Sequence, residues 1–329
     1  MRIGLFNDTS VSGHYGCTAV MTTLLRALAA RDADQVWLWP VGVPWQPHVR
    51  WLDRRPVDAI VVNGEGTIHH SAERQRTRDL LELPAYARKR GVPIHLLNAS
   101  ISDLDAPAIE ALRGFDTIHV RESESLGYLS GLGIAATMVP DLSLGVTFAP
   151  PSSERAGILV TDSVLRETAK ALRTVAVEIG ADHARMRPKK RGPRLSRLRH
   201  RLEDKWPPLA AGRNWHPRSD VDAFGRRLST AALVLTGRFH TVLLSLATFT
   251  PVIALPSNTR KIEAVMADSL GHEGRMLELD LLRDPATIER LRAGVPYAEA
   301  DRAAIRRYLE QAEMGRSRMF DDILRQVGR

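Results

Sequence analysis

The 329-residue chain has almost no cysteine and no hydrophobic run long enough to cross a bilayer. Cys17 is its only cysteine, so an intrachain disulfide is excluded, and this composition favours a reducing compartment. The most apolar stretch, 241–255, is interrupted by Pro251 and is shorter than the ~20 residues of a membrane-spanning helix. Residues 1–7 lack the pattern of a signal peptide. These absences predict a cytoplasmic protein without a transmembrane anchor.

What the chain does contain is typical of a folded enzyme-sized protein. Apolar residues make up 44% of it and charged residues 26%, which excludes global disorder. Its length suffices for two domains of ordinary size and exceeds what one simple core accommodates. The formal net charge is +8.

Much of the positive charge is concentrated in one segment, Arg185–Lys205, which holds ten lysines and arginines against two acidic residues. Such a block suits an anionic surface, either lipid headgroups or nucleic acid. It can also be a solvated insertion. Three spaced leucines can form the apolar stripe of a membrane-surface helix, namely Leu195, Leu198 and Leu202. Aromatic residues for base stacking are missing before Trp206, so a membrane surface at the inner face is favoured over nucleic acid.

Short β-rich runs alternate with helical patterns in both halves of the chain, which predicts parallel sheets covered by helices. We expect an α/β fold of two Rossmann-like domains facing a cleft, with a long C-terminal helical segment. The expected boundaries are a first domain at 1–148, a linker at 149–156, a second domain at 157–297 with the basic insertion 185–205, and a tail at 298–329. A single helix is expected over 72–90.

Arg238 and His240 lie between a predicted strand, Leu233–Leu235, and a helix predicted to begin at Thr241. Ligands of open α/β sheets bind at this end of the strands, and a helix N-terminus favours anions. The pair therefore indicates a phosphate or carboxylate pocket. The alternative is that both side chains only cap and solvate a turn.

Two loops of the first half carry further candidates. Asn7, Gly13 and Gly16 belong to a loop after the first strand, where small residues can expose backbone N–H groups to an acceptor. This loop matches no dinucleotide or P-loop pattern, and it can be a plain connection.

The other loop follows a predicted strand ending at Asn63, where Gly64 and Gly66 flank a carboxylate, Glu65. Glu65 can act as a general base, bind sugar hydroxyls or cap a helix. The adjacent histidines at 69 and 70 lack the spacing of metal ligands, so no metal site is predicted.

Further polar residues are expected at the same edge of the sheets. Arg121 opens a turn after a strand, and Asp141 follows Pro140. Arg260 and Lys261 begin a predicted helix and can add positive charge near Arg238.

In their order along the chain these motifs resemble the polysaccharide pyruvyl transferase family. The resemblance rests on the Gly64–Gly66 motif, Arg121, Pro140–Asp141, the Arg238-Phe239-His240 segment and Lys261. It implies a GT-B-type fold and transfer of a pyruvyl group from phosphoenolpyruvate to two hydroxyls of a sugar, forming a ketal. The acceptor would belong to a cell-surface glycan or its lipid-linked precursor, as in exopolysaccharide biosynthesis, and no bound cofactor is implied.

By motif match, the implied phosphoenolpyruvate-site residues are His240 and Arg238, together with Arg121 and Lys261. By its chemistry, His240 is the candidate general acid and Glu65 the candidate for activating the acceptor hydroxyl, while Arg260 can add to the donor-binding charge. The sequence departs from the family pattern in having Glu65 where the family commonly has a middle glycine. Two alternatives therefore stay open. One is a GT-B-type glycosyltransferase using a nucleotide sugar, a donor that can bring its own Mg²⁺. The other is a non-catalytic protein that binds anionic glycans or membranes through the basic block.

Overall fold

Buried β-rich runs and the helices between them form two parallel sheets in a computed structural model that describes residues 1–150, 154–187 and 215–327. The first sheet has six strands, β1 (Arg2–Asp8), β2 (Asp34–Pro40), β3 (Ala59–Glu65), β4 (Ile94–Ala99), β5 (Thr117–Val120) and β6 (Thr137–Met138). Their order is β2-β1-β3-β4-β5-β6, and every neighbouring pair is parallel. The order reverses between β1 and β3, which is the switch point of this sheet.

The second sheet repeats this arrangement with four strands. They are β7 (Ile158–Ser163), β8 (Asp182–Ala184), β9 (Leu233–Gly237) and β10 (Val252–Ala254), in the parallel order β10-β9-β7-β8. Its switch point lies between β7 and β9. The predicted α/β class with two parallel sheets is confirmed.

Helices cover both sheets. Those of the first half are α1 (Tyr15–Ala29), α2 (Val49–Asp53), α3 (Gln75–Leu81), α4 (Leu83–Arg90), α5 (Ala106–Leu112) and α6 (Ser123–Gly131). Those of the second half are α7 (Arg166–Glu178), α8 (Val221–Ser229), α9 (Phe239–Ala247), α10 (Lys261–Leu270), α11 (Pro285–Ala293) and α12 (Glu299–Val327). Short 3₁₀ turns lie at Thr9–Ser12, Gln46–His48, Leu142–Gly145 and Asp280–Arg283. Because helices lie on both faces, strands such as β3 are buried along their whole length.

The predicted C-terminal helical segment is the 29-residue helix α12, and it packs against both halves. Ile305 and Tyr308 belong to the core around the second sheet. Phe320 and Ile323, further along the same helix, belong to the core on one face of the first sheet. One helix therefore connects the two hydrophobic cores.

The structure corrects two of the predicted elements and adds two strands that were not predicted. The single helix expected over 72–90 is two helices, α3 and α4, because Pro84 near the start of α4 has no backbone N–H to continue α3. The helix after Gly237 begins at Phe239, not at Thr241, so His240 lies inside its first turn. Strands β6 and β8 were missed because they span only two and three residues.

The predicted basic block and the predicted linker both include residues outside the described ranges. Of the basic block, 188–205 lies outside them, and so does 151–153 of the linker. Within the described part of the chain, no helix combines the length and the hydrophobicity needed to cross a membrane.

Candidate active site

The two sheets direct the carboxyl ends of their central strands toward one region between the halves. The helices that leave these strand ends, α1 and α9, meet at their N-termini. A Cβ atom added to Gly16 would lie 2.1 Å from the His240 ring, so only glycine allows this approach. Beside it, the Tyr15 and Phe224 rings stack with their centroids 4.4 Å apart. The two switch points therefore face a common site, as expected for ligand binding in open α/β sheets.

A buried ion pair forms the floor of this site. Arg121, which follows β5, is 1% exposed, and its Nη1 donates to Asp141 Oδ2 at 2.7 Å. Its Nε donates to Ser100 Oγ at 2.8 Å, and its guanidinium lies 4.3 Å from the centroid of the Phe239 ring. Burial by itself raises the pKa of Asp141, but Arg121 and His240 outweigh it and hold the pKa below its usual value. Asp141 is therefore an ionised carboxylate between two basic groups.

His240 contacts the same carboxylate from the other half of the molecule. Its Nε2 lies 3.8 Å from Asp141 Oδ1 and has no hydrogen-bond partner among the described residues. Burial lowers the pKa of His240 from its usual 6.5, against the opposing effect of Asp141 and Glu65. The imidazole is therefore neutral at neutral pH, with an unpaired nitrogen next to a carboxylate that can stabilise its protonated form.

Lys261 brings a second cation to the site from the first residue of α10. A Cβ atom added to Gly66 would lie 3.6 Å from Arg121 Nη2 and 4.0 Å from Lys261 Nζ, so both cations border the space above this glycine. Lys261 Nζ donates to Asn258 Oδ1 at 3.0 Å. Burial, reinforced by Arg121, lowers the pKa of Lys261 to about 8. The Lys261 ammonium and the Nη2 N–H groups of Arg121, whose Nη1 is paired with Asp141, together offer donors to an anion.

A pocket of about 230 Å³ opens beside Lys261. Its lining combines glycine, hydroxyl, histidine and charged side chains, namely Gly66, His69, His70, Ser100, Ile101, Ser102, Glu122, Glu124, Ser125, Asn258, Thr259, Arg260 and Lys261. Arg260 is 66% exposed at its side chain, and its Nη2 lies 3.8 Å from Glu273 Oε1. Arg260 is therefore at the rim and paired, while Lys261 faces inward. The pocket ends at the N-terminus of α10, whose partial positive charge also favours an anion.

Arg238 is at the same end of the second sheet, but its charge is already paired. Its Nε and Nη2 donate to the two carboxylate oxygens of Asp162, each at 2.9 Å. Asp162 lies near the end of β7, next to the second switch point. The predicted anion-binding residue is thus half of a bidentate ion pair.

Glu65 is the centre of a polar network inside the first half. It is 4% exposed and has a φ angle of +39°, unusual for a residue with a side chain. Its Oε1 accepts from the Thr9 hydroxyl and from Asn63 Nδ2, the latter at 3.2 Å, and its Oε2 accepts from Cys17 Sγ at 3.2 Å. Both oxygens are therefore occupied by protein donors.

The remaining predicted acceptor residues lie around this network. Asn7 Nδ2 donates to the Asn63 carbonyl oxygen, and both asparagines are buried. Gly64 packs against Ala99 on the neighbouring strand β4, and Gly13 ends the 3₁₀ turn that follows β1. These residues shape the wall of the site and offer few free polar atoms to a ligand.

Comparison with known proteins identifies the family of the chain. The family model of polysaccharide pyruvyl transferases matches residues 22–259. The chain belongs to the polysaccharide pyruvyl transferase family. Members of this family are transferases, so an enzyme of that class is established at this level. No curated protein sequence matches the chain significantly.

Solved structures place this family member in the GT-B-type fold. UDP-GlcNAc 2-epimerase from Neisseria meningitidis bound to UDP-GlcNAc is 11% identical and has a TM-score of 0.52, covering 99% of this chain and 100% of that one. The Methanocaldococcus jannaschii enzyme of the same name, in complex with UDP-GlcNAc and UDP, is 13% identical with a TM-score of 0.52 over 93% and 99%. An uncharacterized Klebsiella pneumoniae protein is 11% identical and has a TM-score of 0.51, covering 84% of this chain and 92% of that one. At these identities the likeness is one of fold.

Sequence reasoning missed several residues of this candidate site. His14 precedes α1, and its ring lies edge-on to His240 with the centroids 5.4 Å apart. Asp162 pairs with Arg238, and the Phe239 ring packs against the guanidinium of Arg121. Asp162 could have been found from its place at the end of a predicted strand, whereas the neighbours of His14 depend on how the halves meet.

Proposed function

We propose that the protein transfers the pyruvyl group of phosphoenolpyruvate to two hydroxyls of a saccharide, producing a cyclic ketal and inorganic phosphate. The observation that carries this proposal is the convergence of Arg121 and Lys261 on the space above Gly66, with His240 linked to Arg121 through the shared carboxylate of Asp141. Phosphoenolpyruvate needs opposite charge for a carboxylate and a phosphate and a proton donor for its methylene carbon. This cluster holds both kinds of group.

The size and charge of the pocket favour a small anion as the donor. A volume of about 230 Å³ is below the roughly 300–1,000 Å³ of sites that enclose drug-sized ligands. Lys261 and the N-terminus of α10 would hold the phosphate, and Arg121 would hold the carboxylate. Arg238 would then act through Asp162, keeping the start of α9 in position, and Arg260 would add charge only at the rim.

His240 is the proposed general acid. The bound donor is an anion, so it raises the pKa of the neutral imidazole, and Asp141 stabilises the imidazolium that forms. Transfer of that proton to the methylene carbon generates a methyl group and an oxocarbenium-like carbon. One sugar hydroxyl adds to this carbon and loses its proton to His240, which is neutral after the first transfer.

The second hydroxyl then displaces phosphate and closes the ketal. Two hydroxyl protons are lost in all, one balancing the proton gained by carbon and the other leaving with the phosphate. Because both oxygens of Glu65 are occupied, we assign Glu65 to positioning the start of α1 through Thr9 and Cys17, in place of the acceptor-activating role expected from the sequence.

A test of this function uses the purified protein, phosphoenolpyruvate and a panel of nitrophenyl glycosides with free vicinal or 4,6-hydroxyls. We expect one phosphate to be released for each ketal product detected by mass spectrometry. Both phosphate release and ketal formation should be lost in His240→Gln. His48→Gln, whose ring packs on Trp39 away from the site, is the matched control and should keep full turnover. A glycosylated product formed from UDP-sugars, with phosphoenolpyruvate untouched, would instead establish the glycosyltransferase alternative.

A further inference from the structure

Three metal-ligating side chains meet where the two halves touch. His14 and Cys17 lie three residues apart at the start of α1, and His240 comes from the start of α9. One ring nitrogen of each histidine and the Cys17 Sγ all lie within 4.8 Å of one another. No metal was predicted from the sequence, because the third ligand comes from the other half of the chain.

Two buried nitrogens in this cluster have unmet bonding capacity. His14 Nδ1 and His240 Nε2 are inaccessible to solvent and have no hydrogen-bond partner among the described residues. His240 itself is only 7% exposed. Buried polar atoms are normally satisfied, and each one left unpaired costs on the order of 1–3 kcal/mol. A cation bound between the rings would satisfy both nitrogens at once.

The ligand set favours a transition-metal cation that prefers nitrogen and sulfur ligands. Two imidazoles and one thiolate suit Zn²⁺, which binds nitrogen at about 2.0–2.1 Å and sulfur at about 2.3 Å in tetrahedral sites. Such bond lengths place ligand atoms roughly 3.5 Å apart, so this cluster needs to contract by about 1 Å. Hard cations that prefer oxygen ligands are poorly matched to these side chains.

Two carboxylates lie beside the cluster and favour a cation there. Asp141 Oδ1 is 3.8 Å from His240 Nε2, and the Arg121 and Arg238 guanidinium groups are each paired with a carboxylate. Glu65 accepts a hydrogen bond from Cys17 Sγ, so its carboxylate is placed to receive the thiol proton when a metal binds.

We infer that His14, Cys17 and His240 form a Zn²⁺ site that connects α1 to α9 across the cleft. A metal on Nε2 of His240 displaces the proton that the proposed pyruvyl transfer needs there, so the zinc-bound protein is a catalytically silent form. The inference does not depend on that function, because metal binding is measured without turnover.

The experiment is a Co²⁺ titration of the full chain, with Zn²⁺ displacement to give the affinity for zinc. We expect one ion per chain and a sulfur-to-cobalt charge-transfer band in the near ultraviolet. Cys17→Ser should abolish the band, and His14→Gln should weaken zinc binding at least about tenfold. His48→Gln is the control and should bind as the wild type does. Circular dichroism checks that each variant is folded.

Two results would overturn the site. One is the absence of a charge-transfer band at saturating Co²⁺ in the wild-type protein. The other is zinc affinity that stays unchanged in folded Cys17→Ser and His14→Gln, which would place any bound metal on other histidines.

Discussion

At the scale of single residues, the site depends on the buried pair of Arg121 and Asp141. Their side chains are 2% and 0% exposed, so neither charge is compensated by water. Removing one partner leaves the other buried and unpaired, which typically costs about 3–5 kcal/mol. We therefore predict that Asp141→Ala lowers the free energy of unfolding by that amount in a denaturant titration.

An exposed pair provides the control for this measurement. Glu110 and Arg113 are paired at 3.9 Å with side chains 83% and 43% exposed, so Glu110→Gln should change stability little. A loss in Asp141→Ala no larger than in Glu110→Gln would show that Arg121 is not held by this carboxylate.

Lys261 gives the site a pH dependence. Its pKa is lowered to about 8, so its charge is lost as the pH rises through 8, and the binding of an anionic donor weakens in the same direction. We predict that the dissociation constant of phosphoenolpyruvate increases by up to about tenfold per pH unit above 8. Isothermal titration calorimetry measures this rise, over a range from about one pH unit below the pKa of Lys261 to about one and a half units above it.

The matched variants are Lys261→Met and Lys89→Met, the latter on the exposed side of α4. Lys261→Met should bind weakly at every pH in this range, and Lys89→Met should follow the wild type. A wild-type dissociation constant that does not change with pH would remove Lys261 from the donor site.

At the scale of elements, the catalytic geometry depends on the close contact between the starts of α1 and α9. A Cβ atom at position 16 would overlap the His240 ring at 2.1 Å, so α9 must shift in Gly16→Ala. Overpacking of this kind typically costs about 1–3 kcal/mol. We predict that Gly16→Ala loses both stability and turnover.

Gly127→Ala is the control, because Gly127 lies within α6 with no heavy atom within 4 Å of its added Cβ. It should gain roughly 0.5–1 kcal/mol, since alanine favours helix over glycine. If Gly16→Ala behaved in the same way, α1 and α9 would not be in the close contact described.

The elements were largely predictable from sequence, and their contacts were not. Hydrophobic runs and turn residues identify most strands and helices, so the crevice position of Arg121, Lys261 and His240 follows from local patterns. The predicted start of α9, Thr241, was two residues too late. The helix begins at Phe239 because Arg238 has an extended backbone and forms its N-cap. The pairing of Arg238 with Asp162 arises from the register of two strands far apart in sequence, which no local pattern encodes.

At the scale of the whole molecule, α12 makes the two halves dependent on each other. Phe320 is fully buried against the first sheet, although its helix begins in the second half. Truncation of such a buried phenylalanine costs about 3–5 kcal/mol. We predict this loss for Phe320→Ala, with both halves still unfolding in one transition in calorimetry.

Met314, on the same helix, is 52% exposed, so Met314→Ala should leave stability nearly unchanged. Equal, small effects of the two substitutions would mean that α12 does not stabilise the first half.

The sequence predicted this helix from its amphipathic pattern, but its contact with both hydrophobic cores depends on the relative placement of the sheets. The basic block remains a sequence prediction of a membrane-facing surface.

The most direct test of the central claim is thermal unfolding with phosphoenolpyruvate, compared with a panel of nucleotide sugars. A ligand at about a hundred times its dissociation constant stabilises a protein by roughly 2.7 kcal/mol. We predict that phosphoenolpyruvate raises the midpoint for the wild type and Lys89→Met but not for Lys261→Met. A shift produced only by a nucleotide sugar would contradict the account and identify that sugar as the donor.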